Sequence, residues 1–520
     1  MATRDGAPSF SVRAQRAWKR IVFIPFCFMG MGIFRVWTET LYANDQMGFP
    51  ALGFTLDVPF VPIDGYSLFD LVAACALIVF ALLARRIAPL YRHPAAIVLT
   101  IVCMVGSACV NFASLLVPDA APMLFVPSVT LGGVGIALIL MLWSEFFGCI
   151  NPLRVALYYS ASIAVSCLVL WVFKGLSFWW LWAGCCLVPV VSLLCLWRAY
   201  ATLPPDAYPP AYQADFSFPW KPVAAIGTYS FAYGLRGGIF SGPLAMNSGI
   251  GAFLGALAVY VFICRSINQA KDGSSPSKDS SPSAAEEREG QPAAGADGSP
   301  ASIAFDFSLL YKIAMPVMFA ALLPLDAVVP AWRFLADTCA LFSYTMLLVL
   351  IMAILSNLSY QYGVCALWIF SIERAVRLLT SQSGRIVGHV VQECEFGPVA
   401  QGCTVLVVAA LLVVVALIFF SEKSISSSQW GVVLKQPVGE DAGLQRNRLG
   451  VKCHKLGQQA GLTPREEEIL LLVAQQRTLG EMARELYIGT NTVKTHTKHV
   501  YQKLGVHSRA EVLELLGVRE

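Results

Sequence analysis

The chain predicts an all-α protein: a twelve-helix transmembrane bundle in two sets of six, followed by a small four-helix domain at residues 458–520. Three observations carry this. Of 520 residues, 57% are hydrophobic and only 13% are charged, with a mean hydropathy of +0.63, against roughly 25% charged in soluble domains. The apolar residues gather into runs of the length a bilayer demands, because a hydrocarbon core of about 30 Å takes about 20 residues of helix. The last stretch, 462–516, leaves that pattern for the spaced apolar positions of short amphipathic helices.

Residues 1–20 form a basic leader with Arg4, Arg13, Arg16, Lys19 and Arg20. No small-residue cleavage site precedes the next polar stretch and many more apolar runs follow, so it reads as the cytoplasmic flank of a spanning helix and not as a cleaved signal. The runs then fall at 21–43, 68–84, 95–117, 123–147, 155–173, 178–197, 223–240, 250–264, 313–329, 334–355, 363–379 and 399–420. The eleventh, which carries Glu373, Arg374 and Arg377, is the weakest of them.

The first six runs make one half over 21–198 and the rest make a second over 223–420, joined by a proline-rich cytoplasmic connection at 199–222. Inside the second half, 266–301 is rich in Ser, Pro, Ala, Gly and charge, which predicts a disordered cytoplasmic loop. Residues 421–457 predict a flexible tether, basic through Lys435, Arg446, Arg448, Lys452 and Lys455. Those charges suit either anionic lipid or DNA phosphates.

Sidedness follows from the cations. Arg85, Arg86, Arg92, Arg154, Arg198, Lys221 and Arg265 fall in connections between even and odd runs, whereas 44–66, 118–122 and 241–249 contain neither Lys nor Arg. The positive-inside rule therefore places both termini in the cytoplasm of a multi-pass cell-membrane protein. Twelve or ten spans satisfy this; eleven do not. The six-and-six arrangement over 20–420 resembles the major facilitator superfamily of transporters, whose halves are parallel repeats. The family's Gly-Asp-Arg signature between the second and third spans is absent; Ala-Arg-Arg-Ile-Ala-Pro at 84–89 keeps only basic residues.

Ionisable side chains inside a membrane are costly and mark function. Here they are Arg35, Glu39, Asp70, Glu145, Arg236, Asp326, Asp337, Glu373, Arg374 and Arg377. Arg35 and Arg236 lie at similar depths in the first and seventh runs. In a repeated architecture they would flank a central cavity and bind an anionic or carboxylate-bearing small molecule, with Glu39 and Glu145 as further candidate ligand-binding residues. The competing reading pairs Arg35 with Glu39 at i,i+4 and gives Arg236 a carbonyl or an acid on another helix. Most of the fifteen cysteines sit in apolar runs as small hydrophobes, and neither Cys185-Cys186 nor Cys453-His454 has ligand spacing, so no cofactor or metal is expected.

The terminal domain opens on Leu-Thr-Pro-Arg-Glu at 462–466. Thr463 is a good N-cap, Pro464 suits the first turn and Glu466 completes a capping box. Ile469, Leu470, Leu472 and Val473 give that helix an apolar stripe. A second helix over 479–487 turns Met482, Ala483 and Leu486 inward. Ile-Gly-Thr at 488–490 supplies a turn with Thr490 as cap, and a third helix over 491–504 buries Val493, Val500 and Leu504.

With Glu-Met-Ala at 481–483, Thr-Val-Lys-Thr-His at 492–496 and Lys-Leu-Gly-Val-His-Ser-Arg-Ala-Glu at 503–511, this stretch resembles the LuxR-type helix-turn-helix family, also found in NarL/FixJ-like response regulators. It departs from the pattern at Gln476 and Gly480. The resemblance implies a third helix in the major groove of double-stranded DNA, with Lys494, Thr495 and Lys498 near base edges and Thr490, Asn491 and Thr492 near phosphates. It also implies a fourth helix, 509–516, whose Val512 and Leu515 pair two heads as a homodimer on DNA. Acidic and basic residues balance over 462–520, but 490–509 holds Lys494, Lys498, Lys503 and Arg509 and no acid.

The expected function is that of a bacterial membrane-embedded one-component transcriptional regulator, in which the bundle senses a small molecule and the head binds promoter DNA. The alternatives are an active major-facilitator-type transporter with an attached regulatory head, and a scaffold that holds a promoter at the membrane. Nothing in the chain is arranged for catalysis; His496, His499 and His507 belong to the LuxR pattern.

Overall fold

A computed structural model of the protein describes residues 26–43, 49–52, 56–58, 61–150, 152–203, 220–239, 249–273, 308–323, 332–362, 364–393, 397–419, 452–453, 456–474, 477–486 and 488–516. The leader, most of the 199–222 connection, most of the tether, Asp326 and Gln476 lie outside the described residues. The chain divides into two compact units, a body built from 24–260 and 307–447 and a second unit that contains 448–520.

Helical segments occupy each of the twelve apolar runs. The first is a composite in which α1 (Gly30–Thr38) is preceded by a 3-10 turn, Phe26–Met29, and followed by a π-helical turn, Glu39–Ala43. Then come α2 (Gly65–Ile87), α3 (Pro94–Leu116), α4 (Ala121–Phe147), α5 (Pro152–Phe173), α6 (Phe178–Tyr200), α7 (Trp220–Ile239), α8 (Ile250–Gly273), α9 (Ser308–Leu322), α10 (Trp332–Tyr362), α11 (Ala366–Glu393) and α12 (Gly397–Phe419). Among the described residues six of these, α2 to α6 and α10, are long and apolar enough to cross a membrane, which marks a membrane protein.

Two expectations shift. Helix α8 continues to Gly273, so the loop expected from 266 begins helical. The connection between the first two runs carries a short antiparallel hairpin, β1 (Leu56–Val58) with β2 (Val61–Ile63), the departure from all-α among the described residues.

The packing repeats with a shift of six helices. Helix α1 lies on α5 and α6, as α7 lies on α11 and α12; α3 lies on α4 and α6, as α9 lies on α10 and α12. Between the halves, α2 packs on α11 and α5 on α10. Polar junctions repeat in the same way. Tyr42 Oη donates to the Ser128 carbonyl at 2.7 Å and shares a 2.5 Å hydrogen bond with Ser107, joining the first, third and fourth segments. Tyr229 Oη donates to the Ala314 carbonyl at 2.8 Å and meets Ser343, joining the seventh, ninth and tenth.

In lipid there is no hydrophobic drive between helices, so small residues and buried hydroxyls hold such a bundle together. A Cβ at Gly32 would strike the Ser162 carbonyl of α5, and one at Gly234 the Ser381 carbonyl of α11. The apolar residues this leaves on the outside, such as Leu82, Val102, Val126 and Trp180, face what a bilayer would fill.

The head folds from α13 (Pro464–Ala474), α14 (Leu479–Leu486), α15 (Thr490–Leu504) and α16 (Arg509–Leu515), with one helical turn at 456–459 before them. Helix α15 lies across α13 and α14, and α16 closes on α13. Ile469, Leu470, Val473, Met482, Leu486, Val493, Val500 and Val512 form the shared core. Gly505 ends α15 in the left-handed region at φ +68°, and the Val506 N–H reaches back to the Tyr501 carbonyl at 2.9 Å, a glycine-dependent stop.

Candidate DNA-reading helix and membrane cavity

Helix α15 begins one residue earlier than its sequence suggests. Gly489 is the N-cap, in extended conformation and with no side-chain cap, and Thr490 is the first helical residue. The opening N–H groups of α15 therefore receive no cap from an N-cap side chain, the arrangement that suits a helix N-terminus to a phosphate.

Along α15, Val493, His496 and Val500 are buried. Asn491, Lys494, Thr495 and Lys498 follow the i, i+3, i+4, i+7 rule on the other face and are exposed, as is Thr490; Thr492 is half-buried. The Thr495 hydroxyl donates to the Asn491 carbonyl at 3.1 Å. Five of the six expected DNA-facing residues are thus exposed along the first part of a single helix, and Thr492 sits half-buried at the edge of that face.

The other two cations of this stretch are committed to the scaffold. Lys503 Nζ donates to Glu466 Oε2 at 2.7 Å and to the Gly461 carbonyl at 3.3 Å. Arg509 donates to the Arg477 carbonyl at 2.6 Å. Arg465 of the opening motif is also structural: it donates to the Leu486 carbonyl at 2.9 Å and so closes the C-terminal end of α14. His496, packed under α13, has its pKa lowered by burial and by the nearby Arg465 guanidinium, so it stays neutral inside the head.

The capping box at Thr463 and Glu466 forms, with the Thr463 N–H donating to Glu466 Oε2 at 2.8 Å. Two more boxes went unread in the sequence, Thr478 with Glu481 and Ser508 with Glu511; the T-x-x-E and S-x-x-E spacing was the available signal. The expected dimer pair separates: Leu515 is 53% exposed, but Val512 is 0% exposed and belongs to the core, because it faces α13 and not the outside of α16.

The body contains a cavity of about 790 Å3 between its two halves. Arg35 and Glu39 line it, 3.3 Å apart on successive turns. Its other charged lining residues are Asp64 and Asp70 at the start of α2, and Arg374, Arg377 and Arg385 on α11. Tyr66, Tyr159, Tyr233 and Tyr344 supply aromatic walls, and the last two stack at 4.6 Å.

The expectation that Arg35 and Arg236 flank one cavity is not met. Arg236 turns away from it toward α9 and α10, where its Nη2 lies 2.8 Å from Asp337 and its Nη1 donates to the Ala321 carbonyl at 2.6 Å. Glu145 does not line the cavity either. It is buried at the end of α4 and accepts the Leu90 and Tyr91 N–H groups at 2.7 and 3.1 Å, holding the turn before α3. Arg385 was missed because it falls beyond the apolar run expected to end at 379. The signal was the spacing of Arg374, Arg377 and Arg385, which keeps all three on one helical face.

Comparison with known proteins agrees with the geometry of the head. Residues 460–516 match the bacterial regulatory proteins of the luxR family (GerE). The spore germination protein GerE of Bacillus subtilis is 45% identical over 60 residues, 11% of this chain and 81% of that protein. The nitrate/nitrite response regulator protein NarL of Escherichia coli is 48% identical over 50 residues, 10% of this chain and 23% of NarL. Among solved structures, the E. coli fucose:proton symporter FucP covers 76% of this chain and 96% of its own at 11% identity and a TM-score of 0.39, too loose a likeness to carry an argument about the body.

Proposed function

The chain belongs, through residues 460–516, to the luxR family of bacterial regulatory proteins, and from that premise we propose that it is a membrane-embedded one-component transcriptional regulator. In this reading twelve spans sit in a bacterial cell membrane with both termini in the cytoplasm. The body senses a small molecule, and two heads pair on promoter DNA.

The observation that carries the DNA-binding reading is the exposed stripe of Asn491, Lys494, Thr495 and Lys498 opposite the buried Val493, His496 and Val500. A helix with that division can enter the major groove without unpacking its domain. Sensing is supported by a cavity whose walls come from both halves, with α1, α2 and α5 on one side and α7, α10 and α11 on the other. A ligand touching both would favour one arrangement of the halves over another, which is a population shift.

The test uses the full chain in lipid nanodiscs and DNA fragments from beside its own gene. Sequence-specific binding that changes with a cavity ligand supports the reading; specific binding that no cavity ligand alters removes the sensing step. Transport by the body, with the head as its reporter, is the second reading. The six-helix repeat of packing favours it, and ligand uptake into proteoliposomes would establish it.

A further inference from the structure

The cavity's hydrogen-bonding groups are out of balance. A guanidinium offers five N–H donors and no acceptor, and a carboxylate offers only acceptors. The acids here are already engaged. Asp64 caps α2 by accepting the Ser67 N–H at 2.7 Å. Asp70 accepts from Gln382 Nε2 at 2.6 Å. Glu39 faces Arg35, and Glu373, just behind the wall, is shared by Arg374 and Arg377 at 3.9 and 3.4 Å.

The arginines are not saturated. Arg374 Nε and Arg377 Nε are buried with no hydrogen-bond acceptor among the described residues, their approach to Glu373 being outside bonding geometry. Arg377 otherwise reaches the Tyr344 hydroxyl at 3.4 Å, and Arg385 lies over the Tyr66 ring at 4.7 Å. The Thr38 hydroxyl, also on the wall, is a further buried polar group without a partner among the described residues. The four arginines and the four acids Glu39, Asp64, Asp70 and Glu373 balance in formal charge, so what is missing is an acceptor for particular guanidinium N–H groups, and aromatic rings lie beside them.

The cavity also has a direction. Glu39, Phe49, Leu52, Asp64 and Gly249 line it, and all lie at or beside the helix ends that the Lys and Arg pattern assigns to the outer side. At the opposite helix ends the halves come into close contact at one point: a Cβ on Gly148, just past α4, would lie 2.6 Å from Ser359 Oγ and 2.9 Å from the Ala366 Cβ.

We infer that this cavity is a receptor site for a small aromatic carboxylate that enters from the non-cytoplasmic side. The carboxylate accepts from the Arg377 guanidinium, whose Nε has no acceptor among the described residues, with the Arg35 and Arg385 guanidiniums on the same wall, and the ring lies against Tyr233 and Tyr344. A volume of about 790 Å3 is in the range of small-ligand pockets. The inference rests on the body being a sensor, but it names a chemistry that can fail separately.

The experiment is thermal unfolding of the full-length protein in nanodiscs with benzoate, 2-naphthoate or indole-3-acetate, each paired with its uncharged amide. Stabilisation by at least one acid and not by its amide is expected. Arg385→Gln should weaken it about tenfold or more, the loss of a charge-assisted hydrogen bond, while Arg385→Lys keeps part of it. Because the single arginine change at Arg35 would strand Glu39, the Arg35→Gln and Glu39→Gln pair is the second variant and should behave like Arg385→Gln.

Amides as effective as acids, no stabilisation by any of the three acids, or undiminished affinity in both variants overturns the assignment. For the direction of entry, a membrane-impermeant maleimide applied to intact cells should label Leu52→Cys above the unsubstituted background; labelling confined to inside-out vesicles overturns that part. Carboxylate binding without any change in DNA affinity would leave this site standing and remove the regulatory reading.

Discussion

Lys503 Nζ lies 2.7 Å from Glu466 Oε2, and this ion pair ties the last turn of α15 to the first turn of α13. Glu466 is 5% exposed and accepts at once from Lys503 and from the Thr463 N–H and hydroxyl. Replacing Lys503 by Ala removes the only one of those donors that carries charge, so the head should lose about 1–3 kcal/mol of stability in urea unfolding. DNA affinity of the fraction still folded should fall little. A stability change near zero with a large loss of DNA affinity would return Lys503 to the reading face.

The same pair sets a pH dependence. Burial pushes the Glu466 carboxyl up, but its hydrogen bonds to Lys503 and Thr463 outweigh that and leave its pKa below the usual 4.5. A depressed carboxylate contributes stability above its unfolded value and loses it as pH falls through the folded one. Head stability should therefore decline below about pH 4.5, and Glu466→Gln should flatten that decline while lowering stability at pH 7.

Lys494 and Lys498 have no such ion pair among the described residues, and both are exposed on α15. Alanine at either should leave unfolding of the head within about 0.5 kcal/mol of the parent. If the side chain meets a phosphate, the slope of log affinity against log salt should drop by about 0.9. If it meets a base edge, discrimination between cognate and altered sites should fall by about 1–3 kcal/mol instead. Filter binding over a salt series separates the two. Unaltered affinity and unaltered discrimination in both variants would falsify the assignment of this face.

How much of this was legible in the sequence depended on which physical constraint was in charge. Lipid requires long apolar runs, so helical segments occur at the twelve runs even though the sequence says little about how they pack. The weakest run, the eleventh, holds a 28-residue helix. Its charges disguised it because hydropathy averages around a helix, whereas Arg374, Arg377 and Arg385 share one face. Arg236 was misjudged for the converse reason: depth in a run does not say which neighbour a side chain meets. In the head, local rules of capping and spacing gave the helices closely, while Lys503 and Val512 were decided by tertiary contacts.

Val512 and Leu515, expected to act together, should separate on mutation. Val512→Ala leaves a cavity in a fully buried site and should cost about 1–3 kcal/mol. Leu515→Ala removes a side chain that is 53% exposed and should leave stability within about 0.5 kcal/mol. If α16 is the pairing surface, Leu515→Ala should weaken two-headed binding to DNA while single-head binding to a half-site is kept. Gel-shift stoichiometry distinguishes these, and equal stability losses in the two variants would overturn the division of roles.

Arg236 offers the corresponding separation in the body. Its guanidinium is 2% exposed and bridges α7 to Asp337 of α10 and to the Ala321 carbonyl of α9. Removing the cation takes the hydrogen bond from the Ala321 carbonyl and the counter-charge from Asp337, and with Asp337 36% exposed the cost is that of a lost charged hydrogen bond, about 1–3 kcal/mol. Arg236→Gln should therefore lower the thermal midpoint of the body in nanodiscs, and Asp337→Asn should lower it at least as much, since it leaves the 2% exposed Arg236 guanidinium without its counter-charge, whereas Asp337 is 36% exposed and can be solvated when Arg236 is removed. Because Arg236 points away from the cavity, ligand affinity of the protein that remains folded should be unchanged. A large loss of affinity with an unchanged midpoint would instead place Arg236 at the ligand, as its depth in the sequence first suggested.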